Sequence, residues 1–248
     1  MSYRLLVDKI SKDFPDLENL FRESNKKLVT VTFCNPLSFK ILKHNKDYYK
    51  YLEAIDFIYS DGMLLCSFIK KVTRQKCVRA SFDGNSIATR VFELCKNYNK
   101  RVALVGTTEE HILNAVEKLN DKLNIVYYRN GFFLNNSEIQ TFLDELEANK
   151  VDTIIFGMGA PYQERMLHLL KERKFKGIAF TCGGYLEQLA RKDVVYYPAF
   201  YNKHNLRWLY RILDEPGKIL RRYLIDYSFF YIEYIKFLLA NQLNLRNT

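Results

Sequence analysis

The 248-residue chain is poor in the residues that mark several common classes of protein. It has 10 glycines, 5 prolines and one tryptophan, and no segment is low-complexity. No stretch reaches the roughly 18–20 uncharged apolar residues of a membrane span. The N-terminus, MSYRLLVDKISKDF, carries charges throughout and lacks the apolar core of a signal peptide. Five cysteines (34, 66, 77, 95 and 182) are scattered without a CxxC or Cys/His cluster, which argues against zinc and predicts reduced thiols in the cytosol. The four histidines (44, 111, 168 and 204) lack metal-like spacing and read as surface or partly buried side chains. No GxGxxG follows a strand, so a nicotinamide site is poorly supported, and the absence of GxxxxGK[ST] argues against a P-loop ATPase. There is no DxD pair to hold a nucleotide diphosphate through a cation.

What the chain does have is an ordinary apolar content of 48% and a net charge of +10. That charge fits nucleic acid, phosphorylated ligands, an anionic membrane face, or basic residues that only solvate the surface. Strand-like runs recur at 27–33, 56–60, 101–106, 124–128, 151–157 and 177–183. Helical stripes lie between them, such as Ile112, Val116 and Leu119, or Ile139, Phe142, Leu143 and Leu146. Near-continuous apolar strands alternating with amphipathic helices predict an α/β fold, with Rossmann-like parallel sheet layers flanked by helices. Residues 1–200 read as the main domain, with a soft boundary near 98–100 where two lobes could meet. Residues 201–248 read as a helical C-terminal appendage, dense in aromatics, with eight Lys or Arg and four Asp or Glu. Its long helix suits either a membrane interface or a place on the core.

Candidate site residues cluster at strand ends, where α/β proteins place ligands. GMGAPYQER (157–165) follows an apolar run and sets Gln163 and Glu164 at a helix start. A small glycine loop there brings backbone N–H groups around a cavity that suits a phosphate or sugar. Asp61, beside Gly62, is either a general base or the cap of the next helix. Asn35 either binds a hydroxyl or shapes a turn before Pro36. Arg79 offers a fork of donors to a diphosphate or makes a surface salt bridge. Asp83, with Gly84, either lines the site or caps a helix beginning near Asn85.

In order along the chain, Asn35, Asp61-Gly62, Arg79…Asp83, Val105-Gly106, Asn130-Gly131-Phe132-Phe133, GxGxPxQE at 157–164, Gly183-Gly184, RWLYR at 207–211, Glu215-Pro216 and RRY at 221–223 resemble the WecG/TagA/CpsF glycosyltransferases, family 26. The resemblance runs from about residue 29 to 225, and the GxGxPxQE and RWLYR…EP…RRY blocks are its specific parts. It implies a metal-independent, inverting transferase without a cofactor. Such an enzyme moves a hexose or N-acetylhexosamine from a UDP-sugar to a polyprenyl-diphosphate-linked sugar, at the cytoplasmic face of the membrane, in bacterial surface polysaccharide synthesis. It assigns catalysis to Asp61 as base with Arg79 and Gln163. Substrate contacts fall to Asn35, Gly62, Asp83 and Glu164. Nucleotide contacts fall to Gly106, Gly157, Gly159, Gly183, Gly184, Glu187, Arg211, Arg221 and Arg222. Phe33 stands where the family often has Thr, Lys218 where Arg is common, and the segment after Gly184 lacks the usual wording. Expected partners are the two substrates and an anionic membrane surface, with no nucleic acid and a homo-oligomer open. A nucleotide-binding oxidoreductase and a non-catalytic membrane- or RNA-binding protein are the competing readings.

Overall fold

Strands made of uninterrupted β-branched and aromatic residues have no polar face to show to water, so both faces must be covered. A computed structural model of the chain describes residues 4–192, 198–204 and 206–246. Its strands are β1 (Leu28–Cys34), β2 (Phe57–Ser60), β3 (Arg101–Gly106), β4 (Asn124–Arg129), β5 (Thr153–Gly157) and β6 (Gly177–Thr181). They form one sheet in the order β2-β1-β6-β5-β3-β4, every pair parallel. All six expected strands are present. The strands on either side of residues 98–100 lie in this same sheet. The central β5 and β6 are buried at every position, while the edge strand β4 keeps Asn124 and Tyr128 exposed.

The helices are α1 (Arg4–Lys9), α2 (Leu17–Ser24), α3 (Leu37–His44), α4 (Lys46–Ala54), α5 (Met63–Thr73), α6 (Ala88–Asn97), α7 (Glu109–Leu119), α8 (Asn136–Ala148), α9 (Tyr162–Glu172) and α10 (Tyr185–Arg191). They cover the sheet on both faces and divide the core into two apolar clusters. Phe68, Phe142, Phe156 and Leu167 belong to one, and Phe21, Val91, Ile112 and Phe180 to the other.

The appendage continues as α11 (Ala199–Lys203), α12 (Arg207–Asp214), α13 (Pro216–Arg221), a π-helical turn (Arg222–Asp226) and α14 (Ser228–Arg246). The last of these returns to the body. Phe230 is 0% exposed, its ring 5.0 Å from Phe39 and 5.4 Å from Phe68, and Lys40 pairs with Asp226 at 2.6 Å. Its other side leaves Ile232, Ile235 and Leu239 exposed, and Leu224 and Ile225 of the preceding turn are exposed as well. The helix thus packs on the core and still presents an apolar face. Among the described residues no helix is long and apolar enough to cross a membrane.

Strand ends meet closely where the site forms. A Cβ on Gly106 would fall 2.5 Å from the carbonyl oxygen of Gly157, and one on Gly131 would fall 3.0 Å from Gly106 Cα. The chain after β3, β4 and β5 can converge only because these positions lack side chains. Gly106→Ala is therefore expected to lower the unfolding free energy by about 1–3 kcal/mol through overpacking. Urea denaturation would measure it, and an unchanged midpoint would show that the turn yields.

Candidate active site

The connection leaving β3 runs to the β4 edge, whereas the one leaving β5 runs the other way to β6. Such a reversal opens a crevice at the carboxyl ends of parallel strands. A cavity of about 480 Å³ lies there, and loops after all six strands contribute to it, from Asn35 and Asp61 through Thr107 and Gly131 to Gly157 and Gly183. Side chains cap some helix starts and not others, and at the cavity itself Thr108 caps α7. Away from the cavity, α2, α4 and α8 are capped by Asp16, Asn45 and Asn135. At the cavity, α5, α9 and α10 begin at Gly62, Pro161 and Gly184 with no side-chain cap. Backbone carbonyls take part of that place: the Tyr185 N–H of α10 donates to Cys182 O at 3.0 Å and the Gln163 N–H of α9 to Gly159 O at 3.1 Å. Gly62 has φ +98°, a conformation that a side chain strains, and it lets the chain turn from Asp61 into α5.

Asp61 follows β2, its backbone N–H donating to the Cys34 carbonyl at 2.7 Å. Its carboxylate is not the cap of α5. It lies 3.8 Å from Nε of Arg79. Arg79 is delivered by a stretch that pairs with the end of β2 through Ser60. Its Nη2 reaches Ser81 Oγ at 2.5 Å and Asp83 Oδ2 at 3.3 Å. That same Oδ2 accepts from Nη1 of Arg207 at 3.0 Å, while Oδ1 accepts from the Asn85 N–H at 2.9 Å. Asp83 therefore both shapes the turn into α6 and binds two guanidinium groups, one from the body and one from the appendage.

Gln163 and Glu164 separate in depth. Gln163 lines the cavity, its Oε1 accepting from the Gly183 N–H at 3.3 Å. Glu164 is 1% exposed and lies beneath it. Its Oε1 accepts from Thr32 Oγ1 at 2.9 Å and from Gln163 Nε2 at 3.0 Å. Burial pushes the Glu164 carboxyl above the usual carboxylate range, against the pull of those hydrogen bonds.

A second cavity, of about 600 Å³, adjoins the first and is more apolar, with Met63, Leu64, Trp208, Tyr223, Tyr227 and Tyr231 among its walls. The two share Asn35, Asp61, Arg79, Arg211 and Arg222. Between α10 and the appendage, Glu215 lies 3.3 Å from both Arg191 and Lys218 and 3.8 Å from Arg211. Glu187 pairs with Arg191 at 2.8 Å and Lys218 at 3.5 Å.

Most of the expected site residues meet at these cavities. Asn35, Asp61, Arg79, Asp83, Gln163, Gly157, Gly159, Gly183, Gly184, Glu187, Arg211 and Arg222 line the first, and Gly62 lines the second. Gly106, Glu164 and Arg221 line neither, and Arg221 is exposed. Sequence reasoning gave no site role to Thr107, Thr108, His111 and Phe132 at the far end of the first cavity, or to Arg207 and Tyr223 in the second. His111 sits in the first turn after a strand end, a better signal than the metal spacing it lacks. The unusual wording after Gly184 falls partly on 193–197, outside the described residues.

Residues 4–244 match the glycosyl transferase WecG/TagA/CpsF family. The chain belongs to that family. This glycosyltransferase is 33% identical over 234 residues to a UDP-Gal:alpha-D-GlcNAc-diphosphoundecaprenol beta-1,4-galactosyltransferase of Shigella boydii, covering 93% of this chain and 95% of that protein. It is 24% identical over 205 residues to an N-acetylglucosaminyldiphosphoundecaprenol N-acetyl-beta-D-mannosaminyltransferase of Bacillus spizizenii, covering 82% and 77%. Among solved structures, an extracellular ligand-binding receptor from Rhodopseudomonas palustris HaA2 overlaps with a TM-score of 0.32 and 13% identity, covering 62% of this chain and 60% of that one, too little to carry an argument.

The glycosyltransferase holds Asp61 in a mixed field. Burial by surrounding protein raises its pKa most, although 40% of its side chain is open to solvent at the cavities. Arg79 opposes that rise, Asp83 adds to it, and Arg211 and Arg207 lower it. A carboxyl whose pKa is higher folded than unfolded contributes its stability fully below the unfolded value, about 4. That contribution is lost as pH rises through the folded value. Asp61→Asn, which imitates the neutral form, should therefore melt at a higher temperature than the wild type at pH 8, with the gap closing toward pH 4. A lower melting temperature for the variant at pH 8 would mean that the arginines outweigh burial.

Proposed function

We propose that this glycosyltransferase moves a hexose or N-acetylhexosamine from a UDP-sugar to a polyprenyl-diphosphate-linked sugar, with inversion and without a metal. The observation that supports this most is the pair of cavities meeting at Asp61. The first, about half polar and ringed by glycine loops, suits the nucleotide sugar. The second, aromatic and apolar beyond its arginines, suits an acceptor whose diphosphate meets cations and whose lipid meets rings. The two relatives named above are transferases acting on sugar-diphosphoundecaprenol acceptors, and the better-matched one uses UDP-galactose, which makes that donor the first to test.

In the proposed step an acceptor hydroxyl attacks the anomeric carbon. Its proton passes to an Asp61 carboxylate oxygen as the new C–O bond forms. The bond from the sugar to UDP breaks, and its electron pair leaves with the diphosphate. Arg79, Arg211 and Arg222 lie where they would stabilise that charge. One displacement inverts the centre. Asp61→Asn should lower turnover roughly 10²–10⁴-fold with a much smaller effect on UDP affinity. A radiolabelled-donor assay with a short-chain lipid diphosphate acceptor, paired with calorimetric titration of UDP, would measure both. Wild-type turnover in the variant removes Asp61 from the step.

The exposed apolar side of α14 supports work at the cytoplasmic membrane face, where a lipid-linked acceptor resides. Replacing Ile232, Ile235 and Leu239 with Asp leaves the buried Phe230 face intact. The triple variant should stay folded but no longer sediment with anionic vesicles. Unchanged sedimentation would mean that this face does not dock.

A further inference from the structure

The amide of Gln163 is gripped from two sides by groups of opposite polarity. The Gly183 N–H, which can only donate, faces Oε1 at 3.3 Å. Oε1 of Glu164, already accepting from Thr32, faces Nε2 at 3.0 Å. A flip of the amide would set N–H against N–H and oxygen against oxygen. A primary amide has two hydrogens and two acceptor sites on its oxygen. One of each is spent inward, so one hydrogen and one lone pair remain for the cavity that Gln163 lines. Glu164 Oε2 is meanwhile buried without a hydrogen-bond partner among the described residues. That unpaired oxygen costs stability, which the two hydrogen bonds to Oε1 offset only in part.

We propose that Glu164 is a positioning residue: it stays clear of the substrate and fixes the amide of Gln163 in one orientation, so that adjacent hydroxyls of the donor sugar meet one fixed donor and one fixed acceptor. This rests on the reading that the first cavity takes the donor sugar. Thr32 extends the same network, its Oγ1 lying 2.7 Å from Oγ1 of Thr181, which also lines the first cavity. Removing Thr32 leaves in place the Glu164 oxygen that accepts from Gln163, and this separates positioning from plain structural support.

The test compares Glu164→Met, Glu164→Gln and Thr32→Val in the full chain. Glu164→Met removes the acceptor and should lower kcat/KM for the UDP-sugar roughly 10–100-fold, with UDP affinity unchanged. It should add no further loss in a Gln163→Ala background. Glu164→Gln keeps a carbonyl oxygen and should stay within about threefold. Thr32→Val should lower the melting temperature while turnover stays within the same margin. The side-chain amide resonances of Gln163 in a ¹H–¹⁵N spectrum report the grip without any turnover, and should move in Glu164→Met but not in Thr32→Val. Where Met prevents folding, Glu164→Leu replaces it. Additive losses with Gln163→Ala, or an equal loss of turnover in Thr32→Val, would overturn the positioning role. Unmoved resonances with lost kinetics overturn that role alone. Moved resonances with unchanged sugar kinetics overturn the sugar assignment of the cavity and the role with it.

Discussion

One carboxylate, that of Asp83, binds guanidinium groups brought from distant parts of the chain. Arg79 arrives from the stretch beside β2, and Arg207 from the first turn of α12, 124 residues after Asp83. Both charges at the Arg207 contact are largely out of water, with side chains 9% and 14% exposed. Removing one member of such a pair leaves the other buried and uncompensated, which typically costs about 3–5 kcal/mol. The appendage is thus anchored by a contact that also sets the direction of Arg79, and Arg79 in turn faces Asp61. Neither cavity would keep its shared wall if Asp83 lost its partners, because Arg79, Arg211 and Asp61 all belong to both.

The parts of this arrangement differ in how far they could be read ahead of the fold. The strands were legible because continuous runs such as VDTIIF can only sit in a covered sheet, and the glycine turns followed from where those runs stop. Asn35 carried two readings, a hydroxyl ligand and a turn before Pro36, and the structure shows the turn. Its Oδ1 accepts from the Leu37 N–H at 3.0 Å, shaping the turn, while the residue lines both cavities. Gln163 and Glu164 could not be ranked from sequence. Neighbours on a helix point about 100° apart, and nothing local says which of two polar side chains meets the cavity. Arg221 and Arg222 pose the same problem, sharpened by the π-helical turn that begins at Arg222 and departs from the 3.6-residue period. Gly106 was read as room for a nucleotide. Its missing Cβ is what lets β3 close on the carbonyl of Gly157, a non-local contact that no spacing along the chain reveals.

Burial also sorts the ion pairs of the site into permanent and exchangeable ones. Glu187 and Glu215 hold Arg191 and Lys218, whose side chains are 50% and 46% exposed. Pairs at that exposure are worth about 0–1 kcal/mol each. A diphosphate offers the same cations charge-assisted hydrogen bonds of about twice the usual strength. It would therefore displace these carboxylates at little cost. The Asp83 pairs sit on the other side of that line, because their charges are already desolvated and have nowhere better to go. An anion entering the first cavity would rearrange the cations around α10 and α13 and leave the Arg79–Asp83–Arg207 anchor in place, so the end of the site beside Asp61 would stay rigid while its outer end adapts.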